Sequence, residues 1–128
     1  MDTTNTQALT TPNIGAIGET LWRHAHNATV YCQTILPAID PESWKPNVLA
    51  YSPCWAMLQP GMELEAHRHA TPEFYVFTSG SGMMRLANDW FPVRAGIAVN
   101  ILPNVEHSAK VDAAASQPLI WVSIAFVE

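Results

Sequence analysis

A chain of 128 residues and 14.1 kDa, 48% apolar and 13% charged, has the size of one domain and enough apolar surface for a core of its own. That balance excludes a disordered chain and a long charged tail, and no apolar run approaches the roughly 18 residues of a membrane span. Six basic residues against eleven acidic ones give a net charge of -5, and Arg23, Lys45, Arg68, Arg85, Arg94 and Lys110 are scattered singly. Such a chain lacks the basic stripe a phosphate backbone demands, so neither nucleic acid nor a membrane is an expected partner.

In chain order, residues 1–20 are rich in Thr, Asn, Gln and Ala without periodicity and read as a flexible N-terminal arm. They contain no Lys or Arg and no apolar h-region, so they do not read as a secretory signal, and the expected location is the cytoplasm. Cys32 and Cys54, neither in a CxxC, then read as free thiols acting as small hydrophobes. From Thr20 to Pro53 a short apolar stretch (28–39) is interrupted and followed by Pro37, Pro41 and Pro46, which break any long helix.

From Cys54 onward the texture is short strands between turns. Cys54–Leu58 stops at Pro60–Gly61, and Glu73–Thr78 stops at the corner formed by Ser79, Gly80, Ser81 and Gly82. Met83–Ala87 and Trp90–Arg94 flank Asn88–Asp89, a two-residue hairpin signal. Ala98–Leu102 precedes Pro103–Asn104, then come Glu106–Val111 and Leu119–Val127, in which Ile120, Val122, Ile124 and Phe126 share one face. Evenly spaced short strands without a helix predict an all-β sandwich or barrel.

Chemistry concentrates in a few of these segments. His67 and His69, one residue apart, project from the same face of an extended chain; Glu73 opens the next strand, and His107 lies on a distant one. Across a small barrel these four side chains would converge on a point. Three imidazoles and a carboxylate suit a divalent first-row metal with one or two positions left open. A His-x-His pair alone is commonplace on surfaces. Here, however, residues 61–80 read G-x5-H-x-H-x3-E-x6-G, a chance match on the order of once in 10⁶–10⁷ registers. A second segment, Gly96 to His107, follows after a short hairpin.

At these residues the sequence resembles the cupin superfamily, the small single-domain RmlC-like kind, whose two signature motifs the two segments match. The first motif is complete. The second keeps Gly96 and His107 at the family's spacing, but Pro103 sits one place late, Asn104 stands for the second Gly and Val111 for the closing Asn. The resemblance covers about residues 54–127. It implies an antiparallel double-stranded β-helix, or jelly-roll barrel, of six to eight strands, and the expected organisation is a single domain over residues 21–128. It also implies one divalent transition metal ion (Fe, Mn, Ni or Zn) inside, held by His67, His69, Glu73 and His107.

Parity along β-like EFYVFT puts Glu73, Tyr75 and Phe77 on one face, so an inward Glu73 makes Tyr75 the first catalytic acid/base candidate. The alternative for Tyr75 is a core aromatic. Arg85 would bind a carboxylate substrate if it points inward, and is a solvated surface group otherwise. Glu63, Glu65 and Glu106 flank the ligands and read as solvent-facing, with Glu106 a candidate to orient an imidazole. His24 and His26 read as an arm feature, and the five tryptophans as core or subunit-interface packing. Without a Ser-His-Asp or Cys-His arrangement, any chemistry leans on the metal. The expected function is a metal-dependent enzyme acting on a small organic molecule, oxygenase-like first and lyase or isomerase next. The alternative is a non-catalytic, metal-dependent binding or sensing module. A homodimer is the expected assembly.

Overall fold

Alternation of burial along strands such as Glu73–Ser79 and Ala98–Ile101 sorts their residues into an inner and an outer face. In the computed structural model, which describes residues 22–25, 30–34 and 50–127, ten strands form and no helix does among the described residues. They are β1 (Arg23–Ala25), β2 (Val30–Thr34), β3 (Ala50–Leu58), β4 (Glu63–His67) and β5 (Glu73–Ser79), followed by β6 (Ser81–Leu86), β7 (Asp89–Arg94), β8 (Ala98–Ile101), β9 (His107–Lys110) and β10 (Leu119–Val127). The arm of residues 1–20, together with His26 and Trp44, lies outside the described residues.

All strand pairs are antiparallel. A six-stranded sheet runs β1-β2-β3-β10-β5-β8 and a four-stranded sheet runs β4-β9-β6-β7. From β4 to β10 the chain crosses between sheets five times, at the turns the Gly, Pro and Asn residues mark. The result is the expected all-β jelly roll, β3 to β10 forming the two facing sheets and β1–β2 extending one of them. β2 pairs with β3 of its own chain, Cys32 opposite Ala56. The described residues of the 21–53 segment, in β1, β2 and the start of β3, therefore belong to the sheet of their own chain.

The two sheets close over Leu58, Leu64, Phe77, Met84, Ile101 and Trp121, all buried. Each such side chain contributes roughly 1.5–3 kcal/mol by leaving water. On β10 the inward residues are Leu119, Trp121 and Ser123, so the alternating Ile120, Val122 and Ile124 lie on the outer face of the six-stranded sheet. Corners are tighter than the sequence suggests. The four-residue Ser79–Gly82 corner contracts to Gly80, which adopts φ +77° and lies so close to the Pro118 carbonyl that a Cβ would collide with it.

The β6–β7 hairpin turns at Ala87–Asn88, one residue earlier than Asn88–Asp89, with Leu86 opposite Asp89. Ala87 takes φ +53° because its N–H donates to the Glu106 carbonyl at 2.8 Å while its own carbonyl accepts from Arg85. Asn104, standing where the motif has glycine, supplies the left-handed residue itself at φ +63°, a conformation Asn tolerates.

Candidate metal centre

The four residues singled out in the sequence meet at one end of the barrel. Glu73 is the first residue of β5, and the alternation that buries Tyr75 and Phe77 carries its carboxylate inward. His107, the first residue of β9, is fully buried. His67 ends β4, and plain alternation from the buried Leu64 would send it to the outer face. A bulge between Leu64 and His67 shifts the register by one residue and sets His67 opposite His107. His69 departs from the expected arrangement: it lies beyond β4, in the segment leading to β5. Its carbonyl accepts the Asn104 N–H at 2.7 Å, tying this segment to the β8–β9 turn that precedes His107.

Local hydrogen bonds aim each imidazole. The Nδ1 atoms of His67, His69 and His107 lie 2.7, 2.7 and 2.9 Å from the carbonyls of Glu65, Thr71 and Val105, each two residues away. A carbonyl only accepts, so each Nδ1 carries the hydrogen, and in the neutral ring Nε2 keeps its lone pair. Glu73 Oε1 sits 2.9 Å from His69 Nε2 and 3.3 Å from His107 Nε2, while Oε2 accepts from the Ser123 hydroxyl at 2.9 Å. The His107 approach is close but not aligned as a hydrogen bond, and Nε2 of this buried ring has no hydrogen-bond partner. Burial works against the Glu73 charge. The His107 contact, the Ser123 hydrogen bond and the electrostatic influence of the His69 and His107 rings outweigh it, holding the carboxyl below the ordinary carboxylate range.

These donors fit a metal ion. One ligand atom from each of His67, His69, Glu73 and His107 lies within 4.8 Å of all the others. Donors about 2.1 Å from one ion stand roughly 3.0 Å apart at right angles and 4.2 Å apart when opposed. The 2.9 and 3.3 Å approaches match adjacent positions. With Nδ1 carrying the only ring hydrogen, the His69 and His107 Nε2 atoms and Glu73 Oε1 have only lone pairs to offer each other, and the buried His107 Nε2 has no hydrogen-bond partner. A cation resolves that conflict.

Around the cluster, Tyr75 is buried on the same face as Glu73, its ring centroid 6.2 Å from that of His107 and 5.2 Å from that of Trp121. Arg85 takes the outward option. Its guanidinium donates to Glu106 Oε1 at 2.8 Å and lies 5.9 Å from the centre of the Trp90 ring, on the far side of the sheet from the ligands. Glu106 orients no imidazole: it bridges Arg85 and Arg68, and its carboxyl is held low chiefly by the Arg85 hydrogen bond. Glu65 offers its backbone carbonyl to His67 Nδ1. Trp121 is core, whereas Trp90 is partly exposed under the Lys110 ammonium, 4.3 Å from its ring centre. A cavity of about 770 Å³ bordered by Met83, Val93, Ile97 and Val111 lies at the other end of the barrel and shares no residue with the cluster.

Ser123, which donates to Glu73, is the residue beside the cluster that the sequence alone did not single out. Its signal was present, for it is the one polar residue in Leu119–Val127, and it falls on the inward parity of that strand.

Comparison with known proteins supports this architecture. Residues 54–125 match the family model described as Cupin domain, more than half of the chain. Over 48 residues the chain is 42% identical to dimethylsulfoniopropionate lyase DddW of Ruegeria pomeroyi, a match spanning 38% of this chain and 32% of that relative. A predicted oxalate decarboxylase of Thermotoga maritima superposes with a TM-score of 0.71 at 16% identity, over 90% of this chain and 99% of its own. A cupin 2 conserved barrel domain protein of Salinispora arenicola gives a TM-score of 0.68 at 19% identity, over 89% and 87%. At such identities the structural likeness concerns the fold.

Proposed function

The chain belongs to the family of cupin domains, and we propose that it is a metal-dependent lyase acting on a small carboxylated organic molecule. The observation that carries the metal is the convergence of three Nδ1-anchored imidazoles and Glu73 Oε1 around one buried point. A divalent ion held by His67, His69, Glu73 and His107 supplies Lewis acidity toward a substrate carboxylate or carbonyl. Lyase chemistry moves ahead of the oxygenase chemistry that the donor set equally suits because the local sequence similarity is to a lyase. Tyr75, inward beside the ligands, is the acid/base residue we assign: as the phenolate that a neighbouring cation would favour, it would take the substrate proton, and the Phe77 and Trp121 rings pack beneath it.

The test starts with metal content under reducing conditions. Dimethylsulfoniopropionate is then the first probe substrate, since elimination removes a carbon-bound proton as the C–S bond breaks. Volatile sulfide from the metal-loaded protein, lost in Tyr75→Phe with metal retained, supports the lyase. Substrate-dependent oxygen uptake by the iron form without elimination returns the reading to an oxygenase. Saturable binding without turnover makes the protein a binding or sensing module.

A homodimer remains our proposed assembly. The outer face of the six-stranded sheet, with Trp55, Met57, Phe74, Val76, Val122 and Ile124, carries no charged side chain on its described residues from β3, β10, β5 and β8. Finding a monomer by light scattering overturns it.

A further inference from the structure

The two oxygens of Glu73 have different partners. Oε1 faces His69 and His107, and Oε2 accepts the Ser123 hydroxyl hydrogen at 2.9 Å. Both residues are 8% exposed, so water does not compete freely for either oxygen. Ser123 stands on the inner face of β10, opposite Tyr75 on one side and Cys54 on the other, and Glu73 is opposite Ala125, two residues along. Its carboxylate partner is thus a diagonal neighbour on the same face of the sheet, within reach through one rotamer.

We propose that Ser123 is a positioning residue that reserves Oε2 and so leaves Glu73 one oxygen for the metal. The inference rests on the metal-centre reading above and extends it to how many positions the ion keeps open. A hydrogen bond to an ionised acceptor is among the stronger kinds, and here it is buried. A carboxylate that loses it is free to chelate with both oxygens. A six-coordinate ion with three imidazoles and one carboxylate oxygen keeps about two positions for water or substrate, and a chelating carboxylate takes one of them. Ser123 therefore sets the room left for substrate without touching either ion or substrate.

The experiment compares the full chain with Ser123→Ala and Ser123→Thr, each loaded with Mn(II), and reads water-proton relaxation, which reports waters bound directly to the ion. Ser123→Thr keeps the hydroxyl on a residue that suits a strand. The expected result is full Mn(II) uptake by all three proteins, relaxivity in Ser123→Ala lowered to about half of the wild-type value, and wild-type relaxivity in Ser123→Thr. Equal relaxivity in wild type and Ser123→Ala overturns the proposal, as does loss of Mn(II) from Ser123→Ala, since a freed carboxylate binds at least as well. A wild-type protein that takes up no divalent ion overturns the metal centre itself, and the inference with it.

Discussion

His67 and His107 stand directly opposite each other in the β4–β9 ladder, their ring centroids 4.1 Å apart and the planes tilted by 58°. They come from positions 40 residues apart and share a face only because the β4 bulge restores the register between them. The pairing makes β4 and β9 one half of the site, with His69 and Glu73 the half contributed by the chain that crosses between sheets.

Removing one ligand should separate metal from fold. His69→Ala is expected to lower metal affinity by more than the roughly 10–100-fold that loss of an outer-sphere partner costs. Its β-sheet signal in far-ultraviolet circular dichroism should stay, because His69 is outside the strands and contributes nothing to the buried apolar core. Elemental analysis and circular dichroism check the two halves. An unfolded variant would make the ion structural.

Acidification should reach Glu73. Its carboxyl titrates below the ordinary range in the folded protein, so the stabilisation tied to its charge is complete above the unfolded value of roughly 4.3. It is lost as pH falls through the lower, folded value. Urea unfolding of the metal-free protein against Glu73→Gln should show a stability gap that is constant from pH 6 to about 5 and narrows below about 4. A gap that widens on acidification contradicts the downward shift.

Core truncation should be costly and independent of metal. Leu58 is wholly buried, and Leu58→Ala is expected to cost about 2–5 kcal/mol by denaturant unfolding, with metal stoichiometry unchanged in the folded fraction.

Two glycines separate backbone strain from collision. Gly96 has φ +92° with nothing near a built Cβ, so Gly96→Ala should cost only the left-handed penalty of about 1–2 kcal/mol. Gly80→Ala adds the encounter with the Pro118 carbonyl and should be the more destabilised of the pair. Midpoints of thermal unfolding, measured side by side, rank them.

The Arg85–Glu106–Arg68 bridge is partly exposed, so Arg85→Ala should give a small loss of stability that shrinks as salt is added. Metal content and substrate affinity should not change, since the guanidinium lies outside the barrel; a fall in substrate affinity would place it at the site after all.

Much of this could be read directly. Period-two alternation gave Leu119–Val127 to the residue and put Glu73, Tyr75 and Phe77 on one shared face, which the structure turns inward, because burial on one side only leaves its imprint on composition. Less accessible was anything decided by contact between distant segments. The β4 bulge is invisible in Glu63–His67, since its cause is the pairing with β9. Arg85 was undecided because an Arg after a glycine corner looks the same facing either way, and only the proximity of Glu106 chooses. The hairpin turn slid by one residue because Ala87 is clamped by Glu106 and Arg85, two bonds no local turn preference contains. Apolar alternation on β10 likewise marks a face without saying which: Ile120, Val122 and Ile124 are outside, and the aromatic and hydroxyl residues between them are inside.

Each histidine of the cluster is oriented by a carbonyl two residues from it, within its own stretch of chain. The socket is therefore shaped by peptide groups that fold with the barrel, and it stands before any ion arrives. Loading is then a late event, unlike that of small domains which collapse around their zinc. An ion bound there could leave and another enter with the walls still upright, so the occupant would follow the supply of ions at hand, and one polypeptide raised in two different media would then be isolated with two different metals.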